Sequence, residues 1–235
     1  MKARFPIFCA PCIVAFSIAM NSIAAQPIDI REFVQTRYFE GLSYEDASKF
    51  DSSVVPVLLE MLNDSAESTN WTNIVGVLGI IGDDRAIEPL IAFFTRGANE
   101  EVSDDEYQAK SSVPIALGYL YYKSHNETAL SYLIDSLDPE MWEKRDLTWT
   151  SPYDAAPIER NVQLAITSIM GLGLTGAPSA AVSLNVLLEP AESEADKQFR
   201  TRVSDVVKEA LEANEIIANE GMLEYYRRSR IGFTK

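Results

Sequence analysis

The stretch 71–97 limits the possible folds of this 235-residue chain more than any other part of it. Its apolar residues recur every three or four positions, first over 74–81 and then over 86–94, which is the period of an α-helix. Gly82 stands between the two runs, where glycine can end a helix in the left-handed conformation, and Asp83 can cap the helix that follows. The stretch therefore predicts two helices folded back on each other. Such a hairpin cannot bury its apolar faces alone, so we expect it to recur.

The hairpin pattern does recur along the chain. The predicted helical pairs cover about residues 43–62, 71–95, 112–137 and 158–188. The second and fourth pairs match in a fixed register, in which Leu78, Gly79, Gly82, Ala86, Leu90, Phe93 and Phe94 correspond to Leu172, Gly173, Gly176, Ala180, Leu184, Leu187 and Leu188. Self-similarity of this kind is the sequence signature of a repeat protein, and it predicts an all-α fold.

The segments around the pairs complete the predicted repeat domain, which spans 26–220. A short N-terminal helix begins near Asp29, and a highly charged helix over 194–218 can cap the end of the array with its polar face. The acidic segment 96–112 is predicted to be a surface loop, and the last residues, 221–235, a flexible tail.

The first 25 residues resemble a secretory signal peptide. Lys2 and Arg4 precede an apolar run over 5–20, and small residues over 22–25 favour cleavage after Ala25. An uncleaved membrane anchor is the alternative, because the apolar run approaches the length that spans a bilayer. Cleavage predicts a periplasmic or secreted protein that is no longer inserted in a membrane.

Cleavage would also change the composition of the chain. Both cysteines, Cys9 and Cys12, lie in the signal, so the mature chain would have neither a disulfide nor a thiol nucleophile. The formal net charge would go from −15 to 18 − 35 = −17. A surface this acidic repels nucleic acid and anionic lipid, so we expect neither as a partner.

The Leu-Gly-x-x-Gly turn over 78–82, followed by Asp83, Ala86 and the sequence Glu-Pro-Leu over 88–90, resembles a HEAT repeat of the type found in phycobilisome lyases. With Trp71-x-Asn73 ahead of it, the segment is similar to exported bacterial HEAT-repeat proteins. The resemblance implies a right-handed α-solenoid, or α-α superhelix, of about four hairpins that binds other proteins. It implies no catalytic residue, and lyase activity does not transfer. The third pair departs from the pattern, because 121–123 replaces the Gly-Asp turn.

Three motifs have a functional interpretation that we consider weaker than a structural one. The sequence 171–176 spells G-x-G-x-x-G, but the preceding residues have helical rather than strand spacing, so a repeat turn is favoured over a dinucleotide site. His125, the only histidine, falls in a polar turn without a spaced partner. The acids over 103–106 lack the alternating spacing of a calcium loop. We therefore predict no catalytic residue, no metal site and no cofactor.

Aromatic residues supply the candidate contacts for a partner. Rigid aromatic side chains are over-represented at binding hot spots. The candidates are Trp142, Trp149 and Tyr153 in the insert 138–157, together with Tyr119, Tyr121 and Tyr122 of the third pair. In the alternative interpretation the insert folds onto the repeats and seals their core, since exposed tryptophan clusters are uncommon.

These observations predict a non-catalytic module or scaffold that binds a protein or peptide along a curved helical surface. Two alternatives stay open. A hydrolase of the cell envelope would use two carboxylates in a cleft, with a raised pKa at one of them. A passive structural spacer or assembly subunit would need no such cleft, but a lone monomer would count against it.

Overall fold

The computed structural model describes residues 28–38, 41–97, 101–145, 147–153, 156–191 and 193–232, and the predicted signal peptide lies outside them. The protein is all-helical, and twelve α-helices pack against one another in the described part of the chain. They are α1 (Ile30–Gln35), α2 (Tyr44–Ala47), α3 (Val55–Asn63), α4 (Trp71–Ile81), α5 (Ile87–Thr95), α6 (Asp104–Ser124), α7 (Glu127–Asp135), α8 (Pro139–Lys144), α9 (Pro157–Gly173), α10 (Pro178–Val186), α11 (Glu194–Glu220) and α12 (Met222–Gly232).

The turn between α4 and α5 forms as its residues predict. Gly82 ends α4 at φ +71°, and its N–H donates to the carbonyl of Leu78. The Asp83 carboxylate accepts from the backbone N–H of Arg85 and opens a short 3-10 turn over Asp84–Ala86, after which α5 begins. Pro89 lies in the first turn of α5, where its missing N–H leaves no helical hydrogen bond unmade.

Four helices, α4, α6, α9 and α11, lie against one another in chain order, and they cross at small residues. A methyl group on Gly79 of α4 would lie 2.5 Å from the carbonyl oxygen of Ala116 in α6. At the next crossing, Gly118 of α6 lies against the backbone of Gly171 in α9. At the third, a methyl group on Gly173 would lie 2.9 Å from the Cα of Ala210 in α11. The backbones approach this closely because there is no side chain between them.

The shorter helices α3, α5, α7 and α10 flank this row, and the C-terminal end of each is closed by a basic side chain from elsewhere in the chain. Arg96 donates to the carbonyl of Leu62 at the end of α3, at 3.1 Å. Lys110 closes α5, Arg145 closes α7 and Arg200 closes α10. The last carbonyls of a helix have no partner within it, and a cation also opposes the negative end of the helix dipole.

The third pair begins earlier than predicted. The segment 96–112 was expected to be a surface loop, but α6 begins at Asp104. The Ser103 hydroxyl accepts from the N–H of Glu106, and the acids of the first turn oppose the positive end of the helix dipole. Pro114 consequently lies inside α6 instead of in its first turn.

The C-terminal segment also differs from the prediction. The residues 221–235 were expected to be a flexible tail, yet Met222–Gly232 forms α12, and Met222 is buried in the common core. α12 packs on α11 and reaches back to α2 near the start of the described chain. Among the described helices, none is both long and apolar enough to cross a bilayer.

We expect Gly118→Ala to lower the free energy of unfolding by about 1–3 kcal/mol, since the added methyl group would overlap the Gly171 carbonyl. Gly76→Ala is the matched control in α4, where the methyl group meets only the end of the Leu42 side chain at 3.0 Å. Alanine forms helices better than glycine by about 1 kcal/mol, so Gly76→Ala should be neutral or stabilising. Urea unfolding of both variants measures the difference. Equal effects at the two positions would show that the crossing is not sterically tight.

Candidate functional site

A surface groove of about 500 Å³ runs between α7 and α8 on one side and α10 and α11 on the other. It lies where the third and fourth pairs meet, since α7 contacts both α9 and α10. Its apolar lining residues are Ile134, Leu137, Pro139, Met141, Val186, Leu187 and Phe199, and its polar ones are Asp135, Asp138, Ser183, Asp196 and Arg200. The groove therefore exposes apolar surface to solvent.

The apolar surface continues from the groove onto α10. Ala180 and Leu184 turn one face of this helix into the core, while Val182 and Val186 point outwards and are 67% and 45% exposed. Leu188, just after the helix, is also exposed. The outer face of α10 therefore carries an apolar stripe beside the groove, flanked by the exposed polar side chains of Ser179 and Asn185, and exposed apolar surface with a polar rim is typical of an interaction site.

The charges around the groove are mainly negative. Asp135 and Asp138 are exposed at one wall, and Asp138 also caps α8 by accepting from the N–H of Glu140 at 2.9 Å. On the other wall, Arg200 pairs with Asp196 at 2.9 Å and donates to the Val186 carbonyl at 2.6 Å. The positive charge of Arg200 is thus used within the fold, whereas both carboxylates of the first wall face solvent.

The two tryptophans of the insert 138–157 are buried, so they have no exposed surface to offer a partner. Trp142 packs against Phe94 with ring centroids 5.1 Å apart. The Trp149 indole donates from Nε1 to the Phe94 carbonyl at 2.9 Å. This arrangement corresponds to the alternative in which the insert seals the core.

Arg160, in the first turn of α9, holds the insert against this helix. Its guanidinium is 5% exposed, lies 5.2 Å from the centre of the Trp149 ring and donates to the Trp149 carbonyl. Tyr153 alone among the candidate residues of the insert is well exposed, at 60%, and its ring meets that of Tyr107 edge-on. Only Tyr153 could therefore take part in recognition directly.

The tyrosines of α6 are covered by the chain itself. The hydroxyl of Tyr119 is hydrogen-bonded to that of Tyr226 in α12, and the Tyr44 ring of α2 stacks on both rings. The Tyr122 hydroxyl accepts from the Met222 N–H at 3.3 Å. Desolvation by burial raises the pKa of Tyr44 and of Tyr119 to about 12.

The remaining candidate tyrosine, Tyr121, is 8% exposed and meets the ring of His125. The three candidate tyrosines of the third pair therefore offer little surface to a partner. Tyr121 is buried, and α12, which was not predicted from the sequence, lies over Tyr119 and Tyr122.

A buried lysine lies between the second pair and the insert. The Lys110 ammonium donates to the carbonyls of Phe93 at 2.7 Å and Arg96 at 2.6 Å, and lies 3.4 Å from the Glu106 carboxylate. Desolvation by burial is the largest effect on this group and lowers the pKa of Lys110 to about 8, although Glu106 opposes it. Its contacts are those of a helix cap, so its role is structural.

The other motifs take structural positions. Gly171 and Gly173 lie in the last turn of α9, so a helix precedes the turn where a dinucleotide site would need a strand. His125 is exposed and ends α6 in the left-handed conformation at φ 54°. Among the described residues, no group of three or more histidine, cysteine, aspartate or glutamate side chains is arranged to hold a metal ion.

The chain matches no family model, no curated protein and no solved structure. The likeness to HEAT repeats therefore stays a prediction from the sequence motifs. The site has to be interpreted from its own geometry.

Sequence reasoning did not find the groove, because its walls come from two pairs whose contact the sequence does not specify. One signal was available: Val182 and Val186 are four residues apart on the face of α10 opposite Ala180 and Leu184. Two apolar stripes on one short helix indicate that both faces have something to bury.

Trp149→Ala should lower the free energy of unfolding by about 3–5 kcal/mol, because a buried indole and its hydrogen bond are lost. Tyr153→Ala, in the same insert, should change it by less than about 0.5 kcal/mol, since the side chain is mostly exposed. Thermal or urea unfolding distinguishes the two. If the Trp149→Ala variant were as stable as the parent, the burial of Trp149 would be contradicted and Trp149 would again be a candidate surface contact.

Lys110 should make stability depend on pH between about 8 and 10. In this interval the unfolded chain keeps the lysine proton, with a pKa of 10.5, while the folded chain loses it near 8. The unfolded state then binds more protons, so stability rises with pH, by up to about 1.4 kcal/mol per pH unit. The unfolding free energy of the parent minus that of Lys110→Met should therefore increase from pH 8 to pH 10. A difference that is flat over this interval would contradict the burial of the ammonium.

Proposed function

We propose that the protein is a non-catalytic binding module or scaffold, built as a right-handed α-solenoid of about four HEAT-like hairpins and working in the periplasm or after secretion. Its ligand is a protein or peptide. No cofactor, metal ion or nucleic acid takes part, and the proposal applies to a monomer and to an oligomer alike.

The repeated crossings support the stacked-hairpin architecture. Gly79, Gly118 and Gly173 lie in α4, α6 and α9. Each contacts a small residue of the next helix in the row, which is Ala116, Gly171 and Ala210, respectively. Gly79 and Gly173 are also the positions that the sequence repeat equates. Helical pairs that share one packing position per unit are expected to stack with a similar rotation at every step, which gives an extended binding surface.

The single observation that carries the function is the apolar groove beside the exposed stripe of α10. An exposed apolar patch rimmed by polar residues marks an interaction site in a soluble protein. Here Val182 and Val186 are exposed, and the exposed carboxylates of Asp135 and Asp138 provide the polar rim.

The alternatives find less support in the described residues. The hydrolase would need a carboxyl group with a raised pKa in a cleft. Hydrogen bonds from Ser53 and Arg85 instead lower the pKa of Asp51 and Asp83, and Asp196 in the groove is held by Arg200. A passive spacer would have no reason to keep apolar surface exposed on α10.

Capture from a native envelope extract tests the proposal. The immobilised chain should enrich one or a few proteins over a Gly118→Leu control, whose α6–α9 crossing cannot close but whose charge is the same. Circular dichroism should first show that the control has lost its helical signal. The same proteins on both chains, or none on either, would contradict the proposed function, because acidic surface alone would explain the first result.

A further inference from the structure

We propose that the groove between α7–α8 and α10–α11 binds one amphipathic helix of a partner protein, with apolar residues against Val186 and basic residues beside Asp135 and Asp138. This inference rests on the proposed function and specifies its site and its partner chemistry.

The helical form of the ligand follows from the walls of the groove. All four neighbouring elements are helices, whose backbone N–H and C=O groups bond within the helix. An extended peptide would find no backbone edge to pair with, and its own polar backbone groups would lose water without compensation. A helix satisfies its backbone internally, so it can bury an apolar face in such a groove. α10 has nine residues and is about 13 Å long, which matches two to three turns of a ligand helix.

The apolar part of the contact is set by α10. Val186 lines the groove and is 45% exposed, while Val182, one turn earlier, is 67% exposed. Leu187 and Phe199 form the floor next to them. Aliphatic side chains spaced three or four residues apart on the ligand would cover this surface.

The basic part of the contact follows from the charges. Asp135 and Asp138 are exposed at one wall. Arg200, a cation of the groove lining, is already bonded to Asp196 and to backbone carbonyls. Arg145, which closes α7, interacts electrostatically with Asp135, so Asp138 is the carboxylate more open to a basic ligand. The chain as a whole carries a net charge of −15, so a second copy would be repelled and a cationic helix attracted. Screening makes this attraction weaken with salt.

α12 is not the occupant, because it is seated elsewhere. The Tyr226 ring of α12 lies against the rings of Tyr44 in α2 and Tyr119 in α6. Among the described helices, α12 is therefore not available to the groove, and the proposed occupant is a helix of another protein.

The direct test uses a labelled leucine–lysine amphipathic peptide of about 15 residues, followed by fluorescence anisotropy. The parent chain should bind it, and Val186→Asp should weaken binding by about tenfold or more. The added negative charge alone would strengthen the attraction, so a loss reports the apolar contact. Leu223→Asp, which makes the same change at an exposed position of α12, should bind like the parent.

The charge contribution needs its own pair of variants. Asp135→Asn combined with Asp138→Asn should weaken binding several-fold and flatten its salt dependence, since asparagine still caps α8. Glu60→Gln combined with Asp205→Asn removes two exposed charges outside the groove and should have a smaller effect. A leucine–glutamate peptide should not bind. Equal binding by all variants, or by the anionic peptide, would overturn the inference.

A photo-reactive amino acid separates this inference from the proposed function. Placed at Val186, it should cross-link the captured partner, whereas at Leu223 it should not. A partner cross-linked only from Leu223 or Tyr153 would overturn the groove and leave the binding function standing. The absence of any captured partner would contradict the proposed function itself, whatever the model peptide does.

Discussion

The close contact of helix backbones at small residues is the constraint on which the structure depends. Gly118 and Gly171 leave α6 and α9 in backbone contact, and this crossing lies in the middle of the row formed by the four long helices. A larger residue there would push the two halves of the chain apart. The positions of the flanking helices follow from this row, and so does the gap between the third and fourth pairs that becomes the groove.

The second constraint is electrical and concerns the ends of the flanking helices. Arg96, Lys110, Arg145 and Arg200 each reach the last carbonyls of a different flanking helix. Lys110 comes from the first helix of the third pair, and the other three cations come from segments outside the pairs, so each joins a flanking helix to a later part of the chain. Because these four cations bond to backbone carbonyls, they do little to offset the surface charge of a chain that has 20 basic residues against 35 acidic ones. The surface left over is strongly negative, which is why the inferred partner is basic.

The candidate site could be predicted only in part, for reasons that differ between residues. Trp142 and Trp149 were candidate contacts because they belong to an insert outside the repeat pattern, but the type of a residue does not reveal that its side chain is buried, as both of these are. Tyr119 and Tyr122 belong to a surface of α6 that α12 covers, and no local pattern in the last residues indicates that they fold back to α2. Val186 was assigned to a core-forming pair, whereas its position at the end of α10 leaves it open.

The sequence by itself determined the local structure wherever one short stretch contains both the helical pattern and the residues that begin or end the helix. The turn at Gly82 and Asp83 is of this kind, because a left-handed cap and a carboxylate acceptor act within a few residues. The capping sequence at Ser103 could have been used in the same way. Tertiary structure alone decided the groove, the cover over the tyrosines and the partners of the buried cations. Each of these joins residues that are far apart in the chain, and the free energy of such contacts depends on packing that no local pattern encodes.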